Sequence, residues 1–121
     1  MKYMLLIYHE EQAWNRHSEA ERQQIYGEYR QLIQELQSSR QYLAGDQLQP
    51  PTTASTVRVR DGKQIVTDGP FAETREQVGG FFIIDANDLD EATNIAGRIP
   101  PARMGAIEVR PVVESAAATP A

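Results

Sequence analysis

The sequence predicts an α+β protein built as a ferredoxin-like antiparallel sheet with two helices on one face. Three observations carry that expectation. Tyr3 to Tyr8 and Phe81 to Ile84 are apolar at nearly every position, the pattern of strands buried on both faces. Two later segments open at Ser18 and Asp88, each with a glutamate three residues on, and continue with apolar residues at helical spacing. The elements run strand, helix, strand, hairpin, strand, helix, strand, with no internal repeat or linker, so both helices must cover one sheet.

Taken in order, Tyr3 to Tyr8 is the first strand, and His9 to His17 is a polar connection interrupted by Ala13 and Trp14. Ser18 and Glu21 form a capping box that starts a helix running from about Glu19 to Ser38 or Ser39. Its apolar stripe is Ile25, Tyr29, Leu32, Ile33 and Leu36. Leu43 to Leu48 reads as a second strand, ended by Pro50-Pro51. Thr56 to Arg60 and Gln64 to Thr67 flank Asp61-Gly62, a strong hairpin signal. A two-residue loop would set Val59 opposite Gln64, whereas a three-residue loop pairs Val57 with Ile65 and Arg58 with Gln64. The second register keeps like with like and is the one expected, giving one apolar face and one bearing Arg58, Arg60 and Gln64.

Gly79-Gly80 then permits a sharp approach to the strand Phe81 to Ile84. Asp88 and Glu91 repeat the capping box before a short helix with Leu89, Ala92, Ala96 and Ile99 on its stripe, and Pro100-Pro101 stops it. Ile107 to Arg110 alternate as the last strand. The expected organisation is one domain over residues 1–114, with a disordered tail at 115–121. Helices on a single face leave the other face of two apolar strands uncovered, so a homodimer packed sheet to sheet is expected.

Composition excludes several function classes. The 121 residues carry a formal net charge of -5, and no basic patch with interleaved aromatics is present, which argues against direct nucleic-acid binding. Cysteine is absent, ruling out disulfides, thiolate metal sites and cysteine nucleophiles. The opening apolar run ends at Tyr8-His9-Glu10-Glu11, too short for a signal peptide or a membrane span, so a cytoplasmic protein with no membrane partner is expected. No phosphate loop, dinucleotide fingerprint or serine-hydrolase elbow occurs, and no cofactor is implied.

The most specific segment is Asp68-Gly69-Pro70-Phe71-Ala72-Glu73-Thr74-Arg75-Glu76. Asp68-Gly69 turns the chain and Pro70 fixes it, while Phe71, a bulky ring in a polar connection, is expected to fold back onto a core or cover a cavity. Together with Gln77 and Gly79-Gly80-Phe81, this segment closely resembles the signature of the DGPF branch of the YCII-related family. Further matching marks are Lys2 to Tyr8, Val57 to Lys63, Asp88 to Ala92 and Glu108 to Pro111. The resemblance implies a dimeric α+β barrel. It also implies an indirect association with extracytoplasmic-function sigma factors, beside which DGPF-like proteins are often encoded. The acid–base pair suspected in the wider family, a histidine early in the first helix and Asp-Pro after the second, has no counterpart. Only His17 stands near, ahead of the cap, and the second helix ends Ile99-Pro100-Pro101.

Candidate site residues gather around the signature. Asp68 and His9 are the candidates for proton transfer, His9 because imidazole switches near neutral pH and Asp68 because a pocket acid can be tuned by burial. Asp46, Phe71, Glu73 and Arg75 are the candidates for binding an unknown small molecule, Asp46 because barrel closure would bring its strand end to the same mouth as Asp68. Each has a structural alternative: Asp is a preferred turn residue, and charged loops are mostly solvated. His17 reads as a surface residue fixing the start of the helix. No ligand spacing among His9, Glu10, Glu11 and His17 supports a metal site.

Overall fold

A computed structural model describes residues 1–114; the expected tail at 115–121 lies outside them. Strand β1 (Lys2–His9) is followed by a short helix α1 (Glu11–Asn15), helix α2 (Glu19–Ser38) and strand β2 (Tyr42–Gln47). A hairpin of β3 (Ser55–Arg60) and β4 (Lys63–Asp68) precedes β5 (Gln77–Asp85), α3 (Leu89–Ala96) and β6 (Ala106–Pro111). The long strands form one antiparallel sheet in the order β2-β5-β1-β6, and the hairpin is a separate two-stranded sheet. Without the hairpin and α1, the order β-α-β-β-α-β is that of a ferredoxin-like unit.

Strand alternation divides the sheet into two apolar faces. Tyr3, Leu5 and Ile7 of β1 are buried with Phe82 and Ile84 of β5. Leu32 and Leu36 of α2 join them, with Ala92, Ile95 and Ala96 of α3 and Ile99 just beyond it. The intervening residues Met4, Leu6, Tyr8, Phe81 and Ile83 fall on the opposite face and are only half-buried. Both helices therefore lie on one side, as the sequence predicts, and the other side of an apolar sheet stands open.

Helix ends follow the sequence signals closely. The Ser18 hydroxyl accepts from the Glu21 amide at 3.1 Å, and the Glu21 carboxylate accepts from the Ser18 amide at 2.8 Å. Those bonds hold the Glu21 carboxyl below the ordinary carboxylate range. At α3 the Asp88 side chain caps the Glu91 amide at 2.9 Å, but Glu91 reaches the Asn87 amide instead of that of Asp88. The second capping box is thus displaced by one residue. Helix α2 ends in a Schellman turn, with Gln41 N–H donating to the Leu36 carbonyl at 2.8 Å and Arg40 N–H to that of Gln37 at 3.0 Å.

Three sequence expectations are corrected. The hairpin takes the two-residue loop, pairing Val57 with Val66, Arg58 with Ile65 and Val59 with Gln64. Asp61 and Gly62 both have positive φ, 52° and 74°, the requirement of a type I′ turn, so turn geometry decides the register over side-chain likeness. Gly79-Gly80 does not precede β5; it lies inside it. Trp14 sits on the short helix α1, which is too brief to show a period in the sequence.

The Schellman turn places Arg40 at a φ of 62°, which an L-residue adopts at a cost of about 1 kcal/mol. Arg40→Gly is expected to recover about that much stability. A rise in the urea midpoint with an unchanged slope is the readout.

Candidate functional site

The site is built where β1 runs out of regular pairing. Ile7 pairs with Gly80 and Tyr8 with Val78, leaving Gly79 as the extra residue of a bulge in β5. A bulge re-aims the side chains beside it. Here the imidazole of His9 lies directly on Gly79, in space that a Cβ at that position would occupy. His9 Nδ1 is buried and has no hydrogen-bond partner. The bulge is pinned from the far side by Leu48 N–H, which donates to the Gly79 carbonyl at 2.8 Å.

Beside His9 a cavity of about 500 Å3 opens between the end of β1, α1, the first half of α2, β2 and the bulge. Five aromatic rings, Trp14, Tyr26, Tyr29, Tyr42 and Phe82, stand in its walls. Trp14 and Tyr26 meet edge to face at 5.6 Å near the mouth, and Tyr42 and Phe82 do so at 5.4 Å further in, with Tyr29 6.3 Å from Phe82. Burial pushes the Tyr29 phenol far up, and burial followed by the charge of Asp46 pushes Tyr42 up as well. Both phenols stay protonated at neutral pH, so they offer donors and do not act as bases.

The α1–α2 corner forms the rim. His17 Nδ1 lies 3.2 Å from the Trp14 carbonyl, and Arg22 donates to the Asn15 carbonyl at 3.0 Å with its guanidinium 6.0 Å from the Trp14 ring centre. His17 thus packs on the end of α1, its ring centre 5.5 Å from that of Trp14, and lines the cavity, where the sequence reading made it a surface residue fixing the start of the helix. Glu10 and Glu11 also line the cavity, and Glu10 is bonded at 3.2 Å to Arg75 of the signature loop.

Of the sequence candidates, His9 and Asp46 line this cavity, Asp46 from its place on β2 opposite Phe81. Asp68 is exposed at the end of β4, opposite Ser55 on the hairpin, and Asp68, Phe71, Glu73 and Arg75 are not among the cavity-lining residues. Arg75 touches the cavity only through Glu10. Phe71 is 78% exposed and stacks under the Arg58 guanidinium at 5.2 Å, which corrects the expectation of a ring folded onto the core or covering a cavity. It borders a second, more open groove with Tyr8, Pro50, Pro51 and Pro70.

The signature loop is nonetheless firmly held. Gln77 Nε2 donates to the carbonyls of Ala72 and Thr74 at 2.8 and 2.9 Å, and the Thr74 hydroxyl to that of Glu76 at 2.6 Å. Gly69 N–H donates to Ala54 at 2.7 Å, and the Thr56 hydroxyl to Gly69 at 2.8 Å. Sequence reasoning missed the aromatic cavity itself. Its signal was the pair Tyr26 and Tyr29, one turn apart on α2, together with Trp14 in the preceding connection. Among the described residues no cluster of three or more His, Asp and Glu could hold a metal, and no helix is long and apolar enough to cross a membrane.

Two substitutions separate these features. Gly79→Ala is expected to expel the His9 ring from its seat, moving the His9 ring resonances in a heteronuclear NMR spectrum while the cooperative unfolding transition survives. Unmoved His9 resonances would contradict the seating. Phe71→Ala is expected to change unfolding free energy by no more than about 0.5 kcal/mol, the range of exposed sites, against the 3 kcal/mol or so that a buried ring would lose.

Comparison with known proteins places the whole described chain in one group. Residues 1–116 match the YCII-related domain. An uncharacterised protein of Rhizobium meliloti (strain 1021) is 35% identical over 114 residues, spanning 93% of this chain and 92% of that protein. With the β-α-β-β-α-β body and the signature loop already in place, a match of that extent is decisive: the chain belongs to the YCII-related family.

Proposed function

We propose that this protein is a homodimer that binds a small molecule in the cavity beside His9 and moves a proton there. The observation that carries the reading is the aromatic cavity of about 500 Å3 with an imidazole seated on a strand bulge at its edge. That volume falls within the range of small-molecule sites, and bulges recur beside active sites. Imidazole is the side chain best suited to exchange a proton at neutral pH. Tyr29 and Tyr42 supply donors for an oxygen of the ligand, and Glu10, Glu11 and Asp46, which also line the cavity, are the candidates for a second ionisable group.

The homodimer rests on the open sheet face. Met4, Leu6, Tyr8, Phe81 and Ile83 form an apolar centre, with Glu108 and Arg110 of β6 along one border. An apolar centre with a charged border is the anatomy of a protein interface. Two copies packed sheet to sheet would bury it as a dimeric α+β barrel.

A second reading, a non-catalytic accessory protein associated with extracytoplasmic-function sigma factors, is favoured by the position of Asp68. That carboxylate lies on the hairpin and does not line the cavity, so the acid–base pair of His9 and Asp68 expected from the sequence is not brought together within one chain.

Trp14 is the only tryptophan and lines the cavity, so its emission reports occupancy. Native mass spectrometry of the purified protein is expected to give twice the 13.6 kDa chain mass, and small aromatic acids and phenols are expected to shift Trp14 emission saturably. His9→Gln should retain binding and lose turnover of any ligand that proves to be a substrate. A monomer at micromolar concentration would remove the dimer. A Trp14 signal unmoved across the set would remove the binding site.

A further inference from the structure

The cavity beside His9 has a charge balance of its own. Histidines apart, its ionisable lining is the carboxylates of Glu10, Glu11 and Asp46 and one guanidinium, that of Arg30. Arg75 pairs with Glu10 at 3.2 Å but does not line the cavity, and counting it against Glu10 still leaves Glu11 and Asp46 against Arg30. Among the described residues, neither Glu11 nor Asp46 forms an ion pair. Glu11 is half-buried, whereas Asp46 and Arg30 are exposed, so Glu11 is the free carboxylate least screened by water.

Glu11 also stands among rings. It and Trp14 are three residues apart on α1 and so share one of its faces, and Trp14 meets Tyr26 edge to face. No two neighbouring rings in the wall lie parallel, so in each pair at least one ring keeps its faces clear of the other. A ring face attracts a cation, and Trp14 already does so toward Arg22, which is not a lining residue. The neutral phenol oxygens of Tyr29 and Tyr42 accept hydrogen bonds as well as donate them.

We infer that the cavity selects a small organic cation, an apolar body among the rings with an ammonium group held by Glu11 beside Trp14 and Tyr26. The inference rests on the small-molecule reading given above and names the class of ligand for that same cavity. Carboxylate and ring face favour the same charge, one by a charge-assisted hydrogen bond and the other through its quadrupole. An anion of equal shape would find one exposed guanidinium and three carboxylates. The formal charge of -5 on the whole chain draws the same sign of ligand toward the mouth.

Titration of the full chain at neutral pH, followed by Trp14 emission, tests this with probes that share a phenyl ring and a short arm. They are 2-phenylethylamine, an ammonium at that pH, the neutral 2-phenylethanol and the anion phenylacetate. The ammonium is expected to bind at least about tenfold more tightly than the alcohol, and phenylacetate more weakly than the alcohol. Glu11→Gln is expected to abolish the preference for the ammonium while the affinity for the alcohol moves by less than about twofold, which shows the cavity still formed. Phenylacetate binding as tightly as the ammonium would overturn the inference and make Arg30 the group that reads charge. Equal affinities for the probes would overturn it as well, leaving a cavity that reads shape alone, and a preference that survives Glu11→Gln would overturn Glu11 as the anchor. Each of those results leaves the small-molecule site standing, whereas a Trp14 signal that no probe moves would remove the site and the inference together.

Discussion

A sheet whose central strands are apolar on both faces, with helices enough to cover only one, is the constraint on which this structure depends. β1 and β5 pair in the middle of the sheet, and their residues alternate between a sealed core and a half-exposed face. Apolar area removed from water stabilises by about 25 cal/mol per Å2, so the uncovered face is a standing cost in a single chain and a driving force for association. The core side explains why the chain folds. The open side is what the proposed homodimer would cover.

The same pair of strands also makes the site. Perfect pairing to the end of β1 would leave no room for an imidazole against β5, and the extra glycine provides it at the cost of local ladder regularity. His9 shares the core-facing side of β1 with Tyr3, Leu5 and Ile7, so the cavity is an extension of the core where helix cover is incomplete. Its aromatic lining follows from that. Tyr29 and Phe82 belong to the core stripe and the cavity wall at once.

Much of this was legible from residue order. Both capping signals, the stripe of α2 and the two-faced strands could be read because periodicity and caps are local properties. What escaped depends on surroundings that a sequence does not display. The hairpin register was misjudged because pairing like with like assumes that a face is sealed in a core, and in the hairpin neither face is; the left-handed pair Asp61-Gly62 decided instead. Phe71 was misjudged for a related reason, since an aromatic ring in a polar loop signals a contact without saying that it is with the core, and here the contact is the Arg58 guanidinium. The cavity was missed because Tyr26 lies on the side of α2 counted as polar, and only the α1 corner turns that side into a wall.

The Gly69 to Ala54 hydrogen bond clamps the two ends of the β3–β4 excursion together. Closed in that way, the excursion behaves as a cassette inserted between the second and third strands of the sheet. Loop-closure cost grows only slowly with length, so a shorter or longer cassette behind the same clamp would leave the four-stranded body nearly unaffected. The chain thus separates a body held together by packing from a segment held mainly at its two ends, where a change of length is met by the clamp and not by the core.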